Sequence, residues 1–235
     1  MVVIIPSINA PTLEEVQNKI KQVEPYVQWC HLDVTDGIFS KHLTWHNPAD
    51  LPLLDTKLKV EVHLMVENPE KHIGQWLARP VRSPMPKASA DAKGRLTSNG
   101  VNPIKRVIVH LEAAKDIDFI IQKCREAGVE IGLAIRPDTF WGKLKPWLKK
   151  IDLIHILAVS PGPSGQKMAE DTYDKLKHLR EACPDCQIEI DGGVGPENID
   201  KLKQAGADIL VIGSAIFNNP DPAKELAELV RKAGV

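Results

Sequence analysis

Val2-Val3-Ile4-Ile5-Pro6, then Pro11-Thr12-Leu13-Glu14-Glu15, then Trp29-Cys30-His31-Leu32-Asp33-Val34 make one complete structural unit. Two short apolar runs rich in β-branched residues flank an amphipathic stretch, a pattern that predicts strand, helix and strand. Thr12 stands where a helix needs its cap, and Glu15, three residues on, can reach back to it. The alternation continues to the end of the chain. Strands are predicted over 2–6, 27–34, 58–66, 106–111, 130–136, 153–159, 187–191 and 209–213. Helices are predicted over 12–23, 69–77, 115–127, 140–149, 170–182, 196–205 and 222–233. About eight such cycles in 235 residues predict an α/β fold, a single (β/α)8 barrel forming one domain over 1–235. A doubly wound open sheet is the competing architecture, but no GxGxxG follows the first strand.

One segment breaks the rhythm. Residues 80–103 are rich in Pro, Ser, Ala and basic side chains and show no apolar period. They read as a flexible insertion before the fourth strand. Arg79, Arg82, Lys87, Lys93 and Arg95 there face only Asp91. A basic docking arm is the sharper reading of that imbalance and a solvated loop the plainer one. Lying between a helix and a strand, the insertion is expected at the bottom of the barrel, away from the end where barrel sites are built.

Bulk properties narrow the function. A hydrophobic content of 43% and a charged content of 26% suit an ordinary soluble domain with a large core. A formal net charge of −1 provides no positive field for nucleic acid. No apolar run is long enough for a membrane span, and the first residues read as a strand, not a signal peptide. Cys30, Cys124, Cys183 and Cys186 are few for this length and read as reduced thiols of a cytoplasmic protein. Cys183-Pro184-Asp185-Cys186 has no second CxxC to complete a zinc site, so it reads as a loop that holds two thiols.

Three strands carry the chemistry. Side chains alternate faces along a strand, so His31 and Asp33 point one way, as do Glu61, His63 and Met65. Asp191 ends Ile188-Glu189-Ile190-Asp191-Gly192-Gly193. If these faces meet inside one barrel, two imidazoles and two carboxylates converge as a divalent-metal site, with the carboxylates as natural acid and base. The plainer reading is a hydrogen-bonded core histidine and an ordinary Asp-Gly-Gly turn. Three glycine-bearing loops follow strands six, seven and eight: Ser160-Pro161-Gly162-Pro163-Ser164-Gly165-Gln166, Gly192-Gly193, and Ile212-Gly213-Ser214-Ala215-Ile216. Glycines there let backbone N–H groups approach an oxyanion, and a phosphate commonly sits after the last two strands of a barrel.

Taken together, these stretches resemble the ribulose-phosphate 3-epimerase family. The resemblance rests on Pro6-Ser7-Ile8, His31-Leu32-Asp33-Val34-Thr35-Asp36-Gly37, His63-Leu64-Met65-Val66, Pro161-Gly162 with Gly165-Gln166, Asp191-Gly192-Gly193-Val194 and Gly213-Ser214-Ala215-Ile216-Phe217. It implies a TIM barrel that binds one divalent metal (Zn, Fe, Mn or Co) through His31, Asp33, His63 and Asp191. It also implies that Asp33 and Asp191 are the acid/base pair that interconverts D-ribulose 5-phosphate and D-xylulose 5-phosphate at C3 through an enediolate. Ser7 and His63 would contact this sugar phosphate, and Gly162, Ser164, Gly165, Gly192, Gly193, Gly213 and Ser214 would hold its phosphate. No organic cofactor, nucleic acid or membrane enters this chemistry, and a homo-oligomer is left open.

Several positions depart from the family pattern. Thr35 and Leu157 replace methionines, Pro163 and Ser164 alter the phosphate loop, and Phe39-Ser40-Lys41-His42 and Arg136 replace other residues at the mouth. Thr35, Lys41, His42 and Arg136 could add polar contacts for another ketose phosphate, such as a hexulose 6-phosphate. A non-catalytic phosphosugar-binding barrel is the alternative from another class. His46, His72, His110, His155 and His178 show no partner spacing and default to structural or surface roles.

Overall fold

The computed structural model describes residues 2–78 and 103–234. Eight parallel strands close into a barrel in chain order. They are β1 (Val3–Ile8), β2 (Trp29–Thr35), β3 (Lys59–Met65), β4 (Ile104–His110), β5 (Glu130–Ile135), β6 (Leu153–Leu157), β7 (Ile188–Asp191) and β8 (Ile209–Ile212). The ring closes where β8 pairs with β1, Ile5 lying opposite Val211. Helices α1 (Leu13–Val23), α2 (Ile73–Leu77), α3 (Ile117–Ala127), α4 (Thr172–Ala182), α5 (Ile199–Ala205), α6 (Ser214–Phe217) and α7 (Pro222–Ala233) complete the TIM barrel. The insertion expected over 80–103 lies outside the described residues apart from Pro103, whose carbonyl accepts the Val60 N–H at 3.0 Å.

Local chemistry explains the elements. Thr12 Oγ1 accepts the Glu15 N–H at 3.2 Å and starts α1, which buries Val16, Ile20 and Val23. The outward faces of the strands, such as Cys30, Leu32 and Val34 of β2 and Val60, Val62 and Leu64 of β3, join the large apolar core beneath the helices. Inside the barrel a separate plug of Ile5, Ile108, Ala134, Leu153 and Ile209 fills one level. Gly132 makes that plug fit, since a Cβ there would lie 2.9 Å from Ile108 Cγ1 and 3.3 Å from Leu153. Beyond the plug the interior turns polar.

Three expectations are corrected. The helix predicted over 140–149 is a 3-10 turn, Trp141–Leu144, followed by further turns. Pro146 supplies no N–H and disfavours helix at the residue before it. The helix predicted over 69–77 splits into a 3-10 turn, Pro69–Lys71, and the short α2. Cys183 and Cys186 are joined by a disulfide, not held as free thiols. Cys186 N–H bonds back to the Cys183 carbonyl at 3.2 Å, and this turn brings the two Cα atoms to 5.4 Å, within disulfide range. Cys30 and Cys124 remain free and buried. Among the described residues no helix is long and apolar enough to cross a membrane.

Candidate active site

Strand register brings the predicted residues together. Asp33 of β2 lies opposite His63 of β3, His31 lies opposite Glu61, and Asp191 of β7 lies opposite Leu157 of β6. His31 and His63 are fully buried, and Asp33 and Asp191 are nearly so. His31 Nε2 is 3.2 Å from His63 Nδ1, 3.4 Å from Asp33 Oδ1 and 3.7 Å from Asp191 Oδ2. His63 Nδ1 is 3.5 Å from Asp33 Oδ1 and 3.6 Å from Asp191 Oδ2. Four-coordinate shells with bonds of about 2.1 Å separate their donors by about 3.4 Å, so this set fits a divalent cation. Asp33 Oδ1, buried without a hydrogen-bond partner, faces that common point. Two carboxylates also balance a charge of two. These four residues form a buried group able to hold a metal ion.

The electrostatics favour cations. Burial opposes charge on Asp33, but the His31 and His63 imidazoles beside it outweigh that and hold the carboxyl well below the usual range. Asp191 is held down likewise, against burial, by His155 and His63. Burial resists a proton on His31, yet Asp33, Glu61 and Asp191 raise its pKa well above the usual imidazole value. A pocket that favours a proton so strongly has a negative potential that would draw a metal cation equally.

Other groups fix these four. Ser7 Oγ donates to Asp33 Oδ2 at 2.7 Å, and Asn9 Nδ2 lies 3.4 Å from the same oxygen. His31 Nδ1 meets Glu61 Oε1 at 2.8 Å, and Arg106 donates to Glu61 Oε2 at 2.8 Å. Arg106 also binds Glu130 and Gln187 and lies 4.8 Å above the Trp29 ring. His155 Nδ1 contacts Glu189 Oε1 at 2.7 Å, and its Nε2 approaches Asp191 Oδ2 at 3.5 Å. Burial and neighbouring Glu61 push the Glu189 carboxyl up to about 7. Next to His63, His110 Nε2 lies 2.9 Å from His63 Nε2, while its Nδ1 faces Glu112 Oε2 at 3.2 Å. Burial lowers the His110 pKa to about 4.

A cleft opens above this cluster. Ser7, Asp33 and Asp191 line it, as do Gly162, Ser164 and Gly165 on one side and Gly192, Gly193, Gly213 and Ser214 on the other. His31 and His63 lie beneath its floor, outside the lining. Gly193 needs its positive φ of 67°, and a side chain there would collide with the Met168 backbone. Thr35 is tied to Thr44 Oγ1 through its N–H, Arg136 reaches Asp138, and Lys41 is exposed, so none of these lines the cleft. His42 Nε2 instead bonds to Asn9 Oδ1 at 2.9 Å.

Two histidines assigned structural or surface roles belong to the cluster. His110 and His155 are fully buried beside His63 and Asp191. The signal that could have found them is the two-residue period: His110 shares a face with Arg106 and Ile108, and His155 with Leu153 and Leu157. Asn9 and Glu112 carried no such signal.

A model of the ribulose-phosphate 3-epimerase family matches residues 3–82 and 99–217. The chain belongs to this family. The gap in the match falls within the insertion read from the sequence. A ribulose-phosphate 3-epimerase from Synechocystis sp. is 33% identical, covering 96% of this chain and 92% of that protein. The one from Bacillus subtilis is 31% identical, covering 97% and 98%. Among solved structures, 3-hexulose-6-phosphate synthase from Salmonella typhimurium superposes with a TM-score of 0.65 at 14% identity, covering 99% of this chain and 98% of that one. At that identity the likeness speaks for the barrel alone. As a member of this family the chain is an isomerase, an epimerase that acts on carbohydrates.

Proposed function

We propose that the protein interconverts D-ribulose 5-phosphate and D-xylulose 5-phosphate at C3, with one divalent cation held by His31, Asp33, His63 and Asp191. The convergence of those four donor atoms, with Asp33 Oδ1 left without a hydrogen-bond partner, carries the reading. The family and the names of the relatives support the substrate.

Inverting a carbon next to a ketone means removing a weakly acidic proton and returning one to the opposite face. Asp33 and Asp191 come from β2 and β7, which β8 and β1 separate around the ring. Each carboxylate can therefore reach the substrate from its own side. Both carboxyl groups are held low, so either can serve as the base. One takes the C3 proton, the other, carrying a proton drawn from solvent, returns one to the opposite face, and the two have then exchanged roles. Ser7 holds Asp33 Oδ2 and fixes the direction of that carboxyl group. A bound divalent cation would supply electrostatic stabilisation of the charge that develops on the substrate oxygens. The backbone at Gly193, Gly213 and Ser214 would take the phosphate, and Gln166 stiffens the facing loop through the Ser160 and Pro163 carbonyls.

Metal analysis joined to an exchange assay tests the proposal. Purified protein should carry about one zinc, iron, manganese or cobalt ion and wash solvent deuterium into C3 of ribulose 5-phosphate. No exchange with metal restored would overturn it. Faster turnover of a hexulose 6-phosphate would replace the substrate and leave the chemistry in place.

A further inference from the structure

We propose that His110 and Glu112 are positioning residues that lock His63 in the one tautomer able to face a cation, an inference that rests on the metal reading above. The two ligand histidines present different nitrogens to the common point: Nε2 from His31 and Nδ1 from His63. A neutral imidazole carries one proton, so His63 can offer an Nδ1 lone pair only while its proton sits on Nε2. That proton needs an acceptor, and His110 Nε2 lies 2.9 Å away in a fully buried position. For His110 Nε2 to accept, its own proton must sit on Nδ1. There it meets Glu112 Oε2 at 3.2 Å.

The far end sets the direction of the chain. Glu112 Oε1 accepts the Arg136 N–H at 2.9 Å and the Thr139 hydroxyl. Both groups are donors, so they favour the carboxylate form of Glu112. A carboxylate only accepts, so each hydrogen bond runs outward from His63 to His110 to Glu112. Reversing the chain would put a proton on His63 Nδ1, aimed at Asp33 and Asp191 3.5 and 3.6 Å away. That internal hydrogen bond would occupy the position of the cation. His31 has its own device, Glu61 beneath its Nδ1. Each ligand histidine thus has a carboxylate behind it, one directly and one through a second imidazole.

Glu112→Gln is the decisive variant because it keeps the shape. Its amide oxygen can still accept the Arg136 N–H, which turns the amide NH2 towards His110 Nδ1. His110 must then donate from Nε2, and His63 must accept there and hold its proton on Nδ1. Histidine-nitrogen NMR of the metal-free full-length chain should show His63 protonated on Nε2 in the wild type and shifted towards Nδ1 in Glu112→Gln. Chelator competition with Zn2+ and Mn2+ should show affinity lowered about 10- to 100-fold, as for other partners behind metal-binding histidines. His110→Phe should lower affinity to a similar extent, and His110→Gln, whose carbonyl can accept from His63, should restore part of it. An unchanged His63 tautomer with wild-type metal affinity in both Glu112→Gln and His110→Phe overturns the proposal. A wild type that binds no divalent cation defeats the metal reading alone, and the tautomer spectra then still decide the direction of the chain.

Discussion

The two faces of the same eight strands are built for opposite purposes. Outward, β2 presents Cys30, Leu32 and Val34 and β3 presents Val60, Val62 and Leu64, all packed into one apolar core. Inward, the same strands present His31, Asp33, Glu61 and His63, equally buried but ionisable. The outer face gains from removing apolar area from water. The inner face bears a desolvation cost that only close pairing offsets. Even within the interior the pairing differs by level. Arg106 neutralises the lower level through Glu61 and Glu130, whereas the upper level leaves Asp33 Oδ1 and His155 Nε2 without hydrogen-bond partners. Glu189 Oε2 in the lower level also lacks a partner, so the buried Arg106 cation, not complete pairing, is what sets the supporting level apart.

The largest effect should come from the upper level. Asp191→Asn keeps the shape of the side chain but removes a proton acceptor, and kcat should fall about ten-thousand-fold, near the upper end for a lost acid or base. Its urea midpoint should stay at or above that of the wild type. A variant that unfolds instead would place Asp191 among the supporting groups. Arg106→Met tests the lower level: Glu61 and Glu189 would lose their buried cation, costing about 4 kcal/mol of stability in urea unfolding. A loss below about 1 kcal/mol would mean that protonation of Glu189 already balances the level without Arg106.

Leu64→Ala separates the faces by a single residue. Leu64 follows His63 directly but points outward and is fully buried. Truncation should cost about 3 kcal/mol of stability, the usual range for a core leucine. Metal content and kcat should be retained at temperatures where the variant is folded. Loss of metal at full stability would show that the faces are coupled through the β3 backbone.

This two-faced arrangement decides what could be read in advance. The barrel was legible because strand–helix alternation is a local pattern repeated along the chain. His31, Asp33, His63 and Asp191 were legible because each breaks an apolar run within a predicted strand. His110 and His155 break runs in the same manner, yet a lone histidine says nothing of its neighbours across a barrel. Only closure brings His155 to Asp191 and His110 to His63. Asn9 and Glu112 lie in loops, where no period predicts direction. The disulfide depended on the turn between Cys183 and Cys186, and the failed helix over 140–149 on Pro146, a residue that was in plain view but was outweighed by the apolar pattern around it.

The smallest effect should come from the outer rim. Thr12 caps α1 through the Glu15 N–H, and Thr12→Ala removes that acceptor from a solvent-exposed turn. Stability should fall by about 1 kcal/mol, the usual cost of losing a cap. The helix is held mainly by Val16, Ile20 and Val23 against the outer core, so it should fray at its first turn and stay docked. The outer layer would then yield at one edge while β1, with Ser7 against Asp33, keeps its position. Thermal unfolding should register the loss, and metal affinity and kcat should not. A matching fall in metal affinity would mean that fraying of α1 reaches Ser7, and that the inner face depends on the packing outside it more than the separation of the two faces allows.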